Sequence, residues 1–158
     1  MATLSYSYKS TIEKSVEELE NDTIEWDKTL QNCTKELFFL KHLLMSDIFQ
    51  TNDPGTTEKI KSFSEELEDL KTEKIEVQLT LRNHKNDLNG MLECEDISCD
   101  IFYQTQHQEL LNRLKDLLEN IQQFKLSIFH FSIPFLKRKT LHTEEIELQL
   151  KRKKDTKP

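Results

Sequence analysis

Residues Ile12 to Leu44 read IEKSVEELENDTIEWDKTLQNCTKELFFLKHLL, and the spacing of their apolar side chains decides the fold. Ile12, Val16, Leu19, Thr23, Trp26, Leu30, Cys33, Leu37, Leu40 and Leu44 follow one another at alternating steps of four and three, and all but Thr23 are apolar. A repeat of about 3.5 residues keeps one stripe on one side of an α-helix, which is the seam of a coiled coil. The expectation is a helix over roughly residues 10–50.

Working outward, Thr51-Asn-Asp-Pro-Gly-Thr-Thr57 ends that helix, because Pro cannot continue it and Gly accepts turn geometry. Thr56 or Thr57 then caps a second helix with Glu58 in its first turn. Its seam reads Ile60, Phe63, Leu67, Leu70, Lys74, Val77, Leu81, His84, Leu88 and Met91, interrupted at Lys74 and His84. A third run reads Tyr103, His107, Leu110, Leu114, Leu117, Ile121, Phe124, Ile128 and Phe131. Leu88 and Leu114 hold equivalent seam positions, yet the interval between them falls two short of a whole number of heptads. A break or bend is therefore expected between Gly90 and Asp100. Leu111 and Leu118 widen the third stripe beyond what a two-stranded coil buries.

The composition agrees with helices. The chain has 158 residues, enough for one domain, with 23 Leu, 19 Glu and 18 Lys against two Val and two Gly. Straight side chains lose little rotamer freedom on a helix, and so little Gly leaves few of the backbone turns that cradle phosphates in many enzymes. The expected fold class is all-α, a long antiparallel helical hairpin or three-helix coiled-coil bundle with a disordered basic C-terminal tail. Residues 1–9 are expected to be a flexible N-terminus and 10–134 the helical domain, with helices near 10–50, 57–89 and 97–132. Residues 135–158 are expected to be the mostly disordered tail, Pro134 having stopped the third helix. A single straight helix over 55–132 that pairs with other subunits satisfies nearly the same pattern.

The net charge of −7 is unevenly spread. Residues 135–158 hold eight Lys or Arg and four Asp or Glu, whereas residues 1–134 hold 14 basic and 25 acidic side chains. So acidic a body repels phosphate backbones, which excludes it as a nucleic-acid partner. No basic start followed by an apolar run is present, so an intracellular protein is expected, and its odd number of cysteines, three, suits a reducing compartment. No stretch approaches the ~20 apolar residues of a membrane span.

Three segments have more to offer than a seam. Leu37-Phe-Phe-Leu40 and the residues up to Phe49 are apolar all round the helix, so one stripe cannot bury them; they cover the hairpin end, dock another subunit or face lipid. Leu126-Ser-Ile-Phe-His-Phe-Ser-Ile-Pro-Phe-Leu136 carries no charge and precedes Lys137-Arg138-Lys139. It either folds back on the bundle, docks into a partner groove, or lies in a membrane interface. Trp26, Leu37, Phe38, Phe39, Leu40, Phe129, Phe131 and Phe135 are the expected partner anchors, because buried aromatics dominate such interfaces. Lys137 and Arg138 are separated by positions 139–150 from Lys151, Arg152, Lys153 and Lys154. That spacing resembles a two-part nuclear-import signal, which requires an extended and accessible cationic segment.

Chemistry is sparse. Cys94, Cys99 and His107 lack the spacing of a zinc site, and the five histidines form no metalloprotease pattern. His84 and His107 fall on the seam, where polar residues set register more often than they catalyse. No catalytic residue, cofactor or metal is expected. A basic leucine zipper is excluded by direction, since its basic helix precedes the zipper and here the basic clusters follow it. The heptads resemble those of small coiled-coil subunits in chromosome, spindle, centrosome or tethering complexes. That resemblance implies a non-enzymatic structural or adaptor subunit, favoured to be nuclear, in hetero-oligomers with other coiled-coil proteins. The alternative is a peripheral membrane, vesicle-tethering or centrosomal factor that uses residues 126–136 and the basic residues after them.

Overall fold

A computed structural model describes residues 14–155, with the side chains of 138–143 and of 155 left aside. The expected flexible N-terminus, 1–9, lies outside the described residues. The chain is all-α, with α1 at Val16–Leu44, a 3-10 turn at Asp47–Phe49, α2 at Pro54–Met91 and α3 at Ile97–Asp155.

Each boundary has a local cause. α1 starts where Ser15 accepts the Glu18 amide on its side chain while the Glu18 carboxylate accepts the Ser15 amide, a reciprocal capping box. It ends at Leu44, earlier than the expected residue 50, because the Ser46 hydroxyl and amide both donate to the Leu43 carbonyl and turn the chain. That turn tucks Phe49 into the interior. α2 is capped by Asp53, whose carboxylate accepts the Thr56 amide at 2.9 Å, and Pro54 opens the helix instead of ending a turn. The first helical position needs no N–H and suits the fixed φ of proline, which is why the boundary falls ahead of the expected residue 57.

The break after α2 falls inside the expected window, at residues 92–96. Gly90 sits against it with the Tyr103 hydroxyl in close approach: a methyl group there would come within 2.6 Å of that oxygen. A disulfide joins Cys94 in this break to Cys99 in the first turn of α3, across a Cα separation of 5.6 Å. Free thiols were the expectation from the odd count. The non-helical link brings the two sulfurs within reach, as a disulfide requires.

Pairings fix how the helices run. Between α1 and α2, Thr34 meets Lys74 and Lys41 meets Glu68, so the two are antiparallel. Between α2 and α3, Phe63 meets Phe124 and His84 meets His107, again antiparallel. Between α1 and α3, Asp22 meets His107 and Glu36 meets Lys125, so these two are parallel. The main core runs along all three helices from Trp26, Leu81 and Leu110 to Leu44, Phe63 and Ile128. A smaller cluster of Leu19, Leu88 and Met91, with Val16, Cys94 and Tyr103 against it, closes the end at the α2–α3 link.

Two sequence expectations need correction at α3. Pro134 lies inside the helix, which continues to Asp155, so residues 135–155 are helical and not a disordered tail. Pro134 removes the N–H that would bond the carbonyl of His130, and both residues are exposed, so the lost bond falls on the solvent side of the helix. On either side of it Phe131 and Phe135 pack on Phe49, with centroids 5.5 and 5.1 Å away, and hold the axis in place. Beyond, Arg152, Lys153 and Lys154 sit in the last turn, where positive charge complements the helix dipole.

Candidate interaction surface

The expected anchors divide into two groups. Trp26, Leu37 and Leu40 are each 1% exposed and belong to the core of this chain, which removes them from any docking surface. Phe131 and Phe135 join Phe49 and Phe63 in an aromatic cluster beneath the α1–α2 turn, with Phe131 lying 5.4 Å from Phe63 and 5.2 Å from Phe135. Of the eight, Phe38, Phe39 and Phe129 project outward, at 66, 61 and 45% exposure. The seam arithmetic explains the division: Trp26, Leu37 and Leu40 are seam positions, whereas Phe38 and Phe39 are not.

Further large apolar side chains share the outside. Met45 lies near the α1–α2 turn; Leu126, Ile133 and Leu136 lie on α3, and Ile75 and Leu79 on α2. The sequence leaves Phe129, Ile133, Phe135 and Leu136 of the uncharged stretch off the seam; of these Phe135 packs on Phe49 instead, and Leu126 joins the outward set. Ile128 and Phe131 continue the seam, and Leu126, Phe129, Ile133 and Leu136 form another at steps of three, four and three.

A polar layer interrupts the interior between the large and small clusters. His107, buried to 1% exposure, stacks on Trp26 and bridges Asp22 of α1 and His84 of α2. A carboxylate only accepts, so the Nε2–H of His107 donates to Asp22 Oδ2 at 3.0 Å, and its Nδ1 accepts from the Nε2–H of His84 at 2.8 Å. His84 Nδ1 then keeps a buried lone pair with no protein partner. Lys14 pairs with Asp22, and its carbonyl accepts the Gln104 side-chain amide at 2.8 Å. Burial pushes His107 from 6.5 down to about 4, overriding the opposing pull of the Asp22 carboxylate, and pushes His84 down as well. Both imidazoles are therefore neutral near pH 7. A slip of one heptad strands all three partners, so the layer selects this register.

Two other core polar groups behave differently. Lys74 sits on the α2 seam with its ammonium donating to the Thr34 hydroxyl at 2.6 Å, and burial lowers its pKa from the ordinary lysine value. Burial likewise pushes the Cys33 thiol up, which makes it a poor nucleophile. Among the described residues no cluster of three or more His, Cys, Asp or Glu is placed to hold a metal ion. A groove of about 370 Å³ between α2 and α3 is lined by His84, Asp87, Glu109 and Arg113 among others.

The basic residues of the import-like spacing lie on the helix. Lys137 and Lys151, Arg152, Lys153 and Lys154 are exposed, and Arg138 lies in the helix between them. Accessibility is met for the exposed ones, but the segment is helical where the signal was expected to be extended. Among the described residues no helix is long and apolar enough to cross a membrane. Comparisons with protein families, with curated proteins and with solved structures found no match to this chain.

Proposed function

We propose that this chain is a non-enzymatic structural or adaptor subunit, an antiparallel coiled-coil bundle that binds other helical proteins in nuclear, chromosome- or spindle-associated complexes. The observation that carries the reading is the outward placement of Phe38, Phe39 and Phe129 on a body whose seam residues already fill its own core. Exposed apolar surface of this kind is costly in water and marks sites of association. The nuclear part of the reading rests on the basic residues Lys137, Arg138, Lys151, Arg152, Lys153 and Lys154. A second reading, a peripheral membrane or tethering factor, draws on the same Phe129 and Ile133 beside Lys137.

The test is affinity purification of the full chain and of a Phe38→Ser, Phe39→Ser, Phe129→Ser variant, followed by mass spectrometry and circular dichroism. The reading expects helix-rich proteins in stoichiometric amounts, lost from a variant of unchanged helicity. Recovery of the same proteins by the variant refutes it. Sedimentation with anionic vesicles that the variant loses favours the membrane reading instead. A fluorescent fusion lacking residues 137–158 is expected to lose nuclear enrichment.

A further inference from the structure

Deepening the adaptor reading, on which it rests, we propose that the outer face of α3 at Leu126, Phe129 and Ile133, with Phe39 of α1, seats a fourth helix from a different chain, one whose apolar seam is flanked by Asp and Glu. The geometry starts with spacing. Each of these α3 residues lies five positions after a core residue: Leu126 after Ile121, Phe129 after Phe124, Ile133 after Ile128. Five residues turn a helix by about 140°, so this second seam faces away from the core that the first one builds. Leu136 continues the same steps. Exposures of 49, 45 and 46% at Leu126, Phe129 and Ile133 are those of side chains that lean on their own helix and keep an open outer half.

α1 supplies the other wall. Glu36 bonds Lys125 at 3.0 Å, which sets residue 36 level with residue 125 on two parallel helices. Phe39 and Leu43 follow Glu36 at steps of three and four, on the flank of α1 that turns towards α3, and stand level with the Leu126–Ile133 stripe. Two parallel helices with apolar outer flanks and a stripe of heptad spacing offer the shape of a helix, since knobs at steps of three and four interlock with a facing seam of the same period.

Charge selects the kind of helix. Residues 120–143 contain no Asp or Glu at all; Lys125 is already bonded to Glu36, and the exposed Lys137 directly follows the stripe at Leu136. Two copies of this face brought together set like charges against each other, which disfavours a symmetric pair and favours a partner with acidic flanks. A helix also satisfies the spacing argument, as a flat lipid surface does not.

The test uses the full chain and four probes: a fluorescein-labelled four-heptad helical peptide with a Leu seam flanked by Glu, the same peptide flanked by Lys, vesicles containing phosphatidylserine, and the protein alone in sedimentation equilibrium. The expected result is binding of the Glu-flanked peptide at least tenfold tighter than the Lys-flanked one, reduced at least tenfold in a Phe129→Ser, Ile133→Ser variant that keeps its helicity. Equal binding of both peptides, no binding of either, or binding unaffected by the variant overturns the proposal. So does a dimer or a vesicle association that the variant abolishes while peptide binding is absent. Phe38→Ser provides the separation from the wider reading. If helical partners from cell extract are lost with Phe38→Ser but kept with Phe129→Ser, Ile133→Ser, the adaptor reading stands and this face does not carry it; if no helical partner is recovered by the unaltered chain, the adaptor reading itself falls.

Discussion

Acidification is the perturbation that probes the polar layer most directly. His107 is held neutral in the folded chain, with its pKa pushed from 6.5 to about 4. Around the two imidazoles stand Asp22 and Lys14 from the α1 side, Asp87 on α2 and Gln104 on α3. In the unfolded chain the same imidazole takes up its proton near its ordinary value, so between these two pKa values the unfolded state binds more protons and stability falls as pH falls. The contribution is intact above about pH 6.5, is down by about 2 kcal/mol at pH 5, and has lost about 3 kcal/mol below pH 4. His84, depressed in the same direction, adds to the loss. The assay is urea unfolding at pH 7.5, 6.0 and 5.0 for the natural chain and for His107→Gln, with the His107 ring followed by NMR through the same range. The natural chain is expected to lose about 2 kcal/mol between pH 7.5 and 5.0, and the variant only a small part of that. A ring that titrates at 6.5 or above, or a stability that is flat or rising towards pH 5, refutes the reasoning. The layer lies between the two core clusters, so the loss is expected first as faster amide exchange around Leu19, Leu88 and Met91.

Lys74→Leu replaces a desolvated ammonium on the seam by an apolar side chain and is expected to raise stability by about 1 kcal/mol in thermal unfolding. Trp26→Ala empties a buried site and is expected to cost about 4 kcal/mol, while Phe38→Ser, on the outside, is expected to stay within about 0.5 kcal/mol; the contrast is read in parallel urea curves. Cys94→Ser with Cys99→Ser opens a short loop beside the small cluster and is expected to cost about 2 kcal/mol, seen as increased exchange between residues 88 and 103. Pro134→Ala restores a helical hydrogen bond in mid-helix and is expected to raise helicity in circular dichroism and slow exchange after residue 134; no change in either measurement counts against a continuous α3.

Much of the fold was legible because it depends on period alone. Leu19, Trp26, Leu30, Leu67, Leu81, Leu117 and Phe124 are seam positions and all lie buried. The window for the break was legible too, since a seam that slips by two positions cannot stay on one face. What eluded the sequence depends on balance between neighbours. Pro134 reads as a stop until Phe131 and Phe135 are seen to clamp it onto Phe49, which belongs to a turn before α2 and so is remote along the chain. Pro54 reads as a terminator and is an initiator, because Asp53 before it is a cap; the capping signature at Ser15 and Glu18 was likewise there to be read. Of the surface, Phe129, Ile133 and Leu136 were legible as residues left off the seam, but Leu126 needed the core register to be known first. That His84 and His107 meet each other, and Asp22, follows from helix pairing and from no local pattern.

α3 has 59 residues against 38 in α2, and among the described residues its last ring contact with the turn is at Phe135. From Phe135 the helix runs on for about 20 residues, a reach of roughly 30 Å at about 1.5 Å per residue, and its side chains at 144–154 are exposed. A stiff rod of that length works as a standoff: whatever the cationic tip touches is held at a set distance and angle from whatever grips the body. Shortening it by a few residues rotates the tip as well as drawing it in, by about 100° for each residue removed, so length and aim cannot be tuned apart.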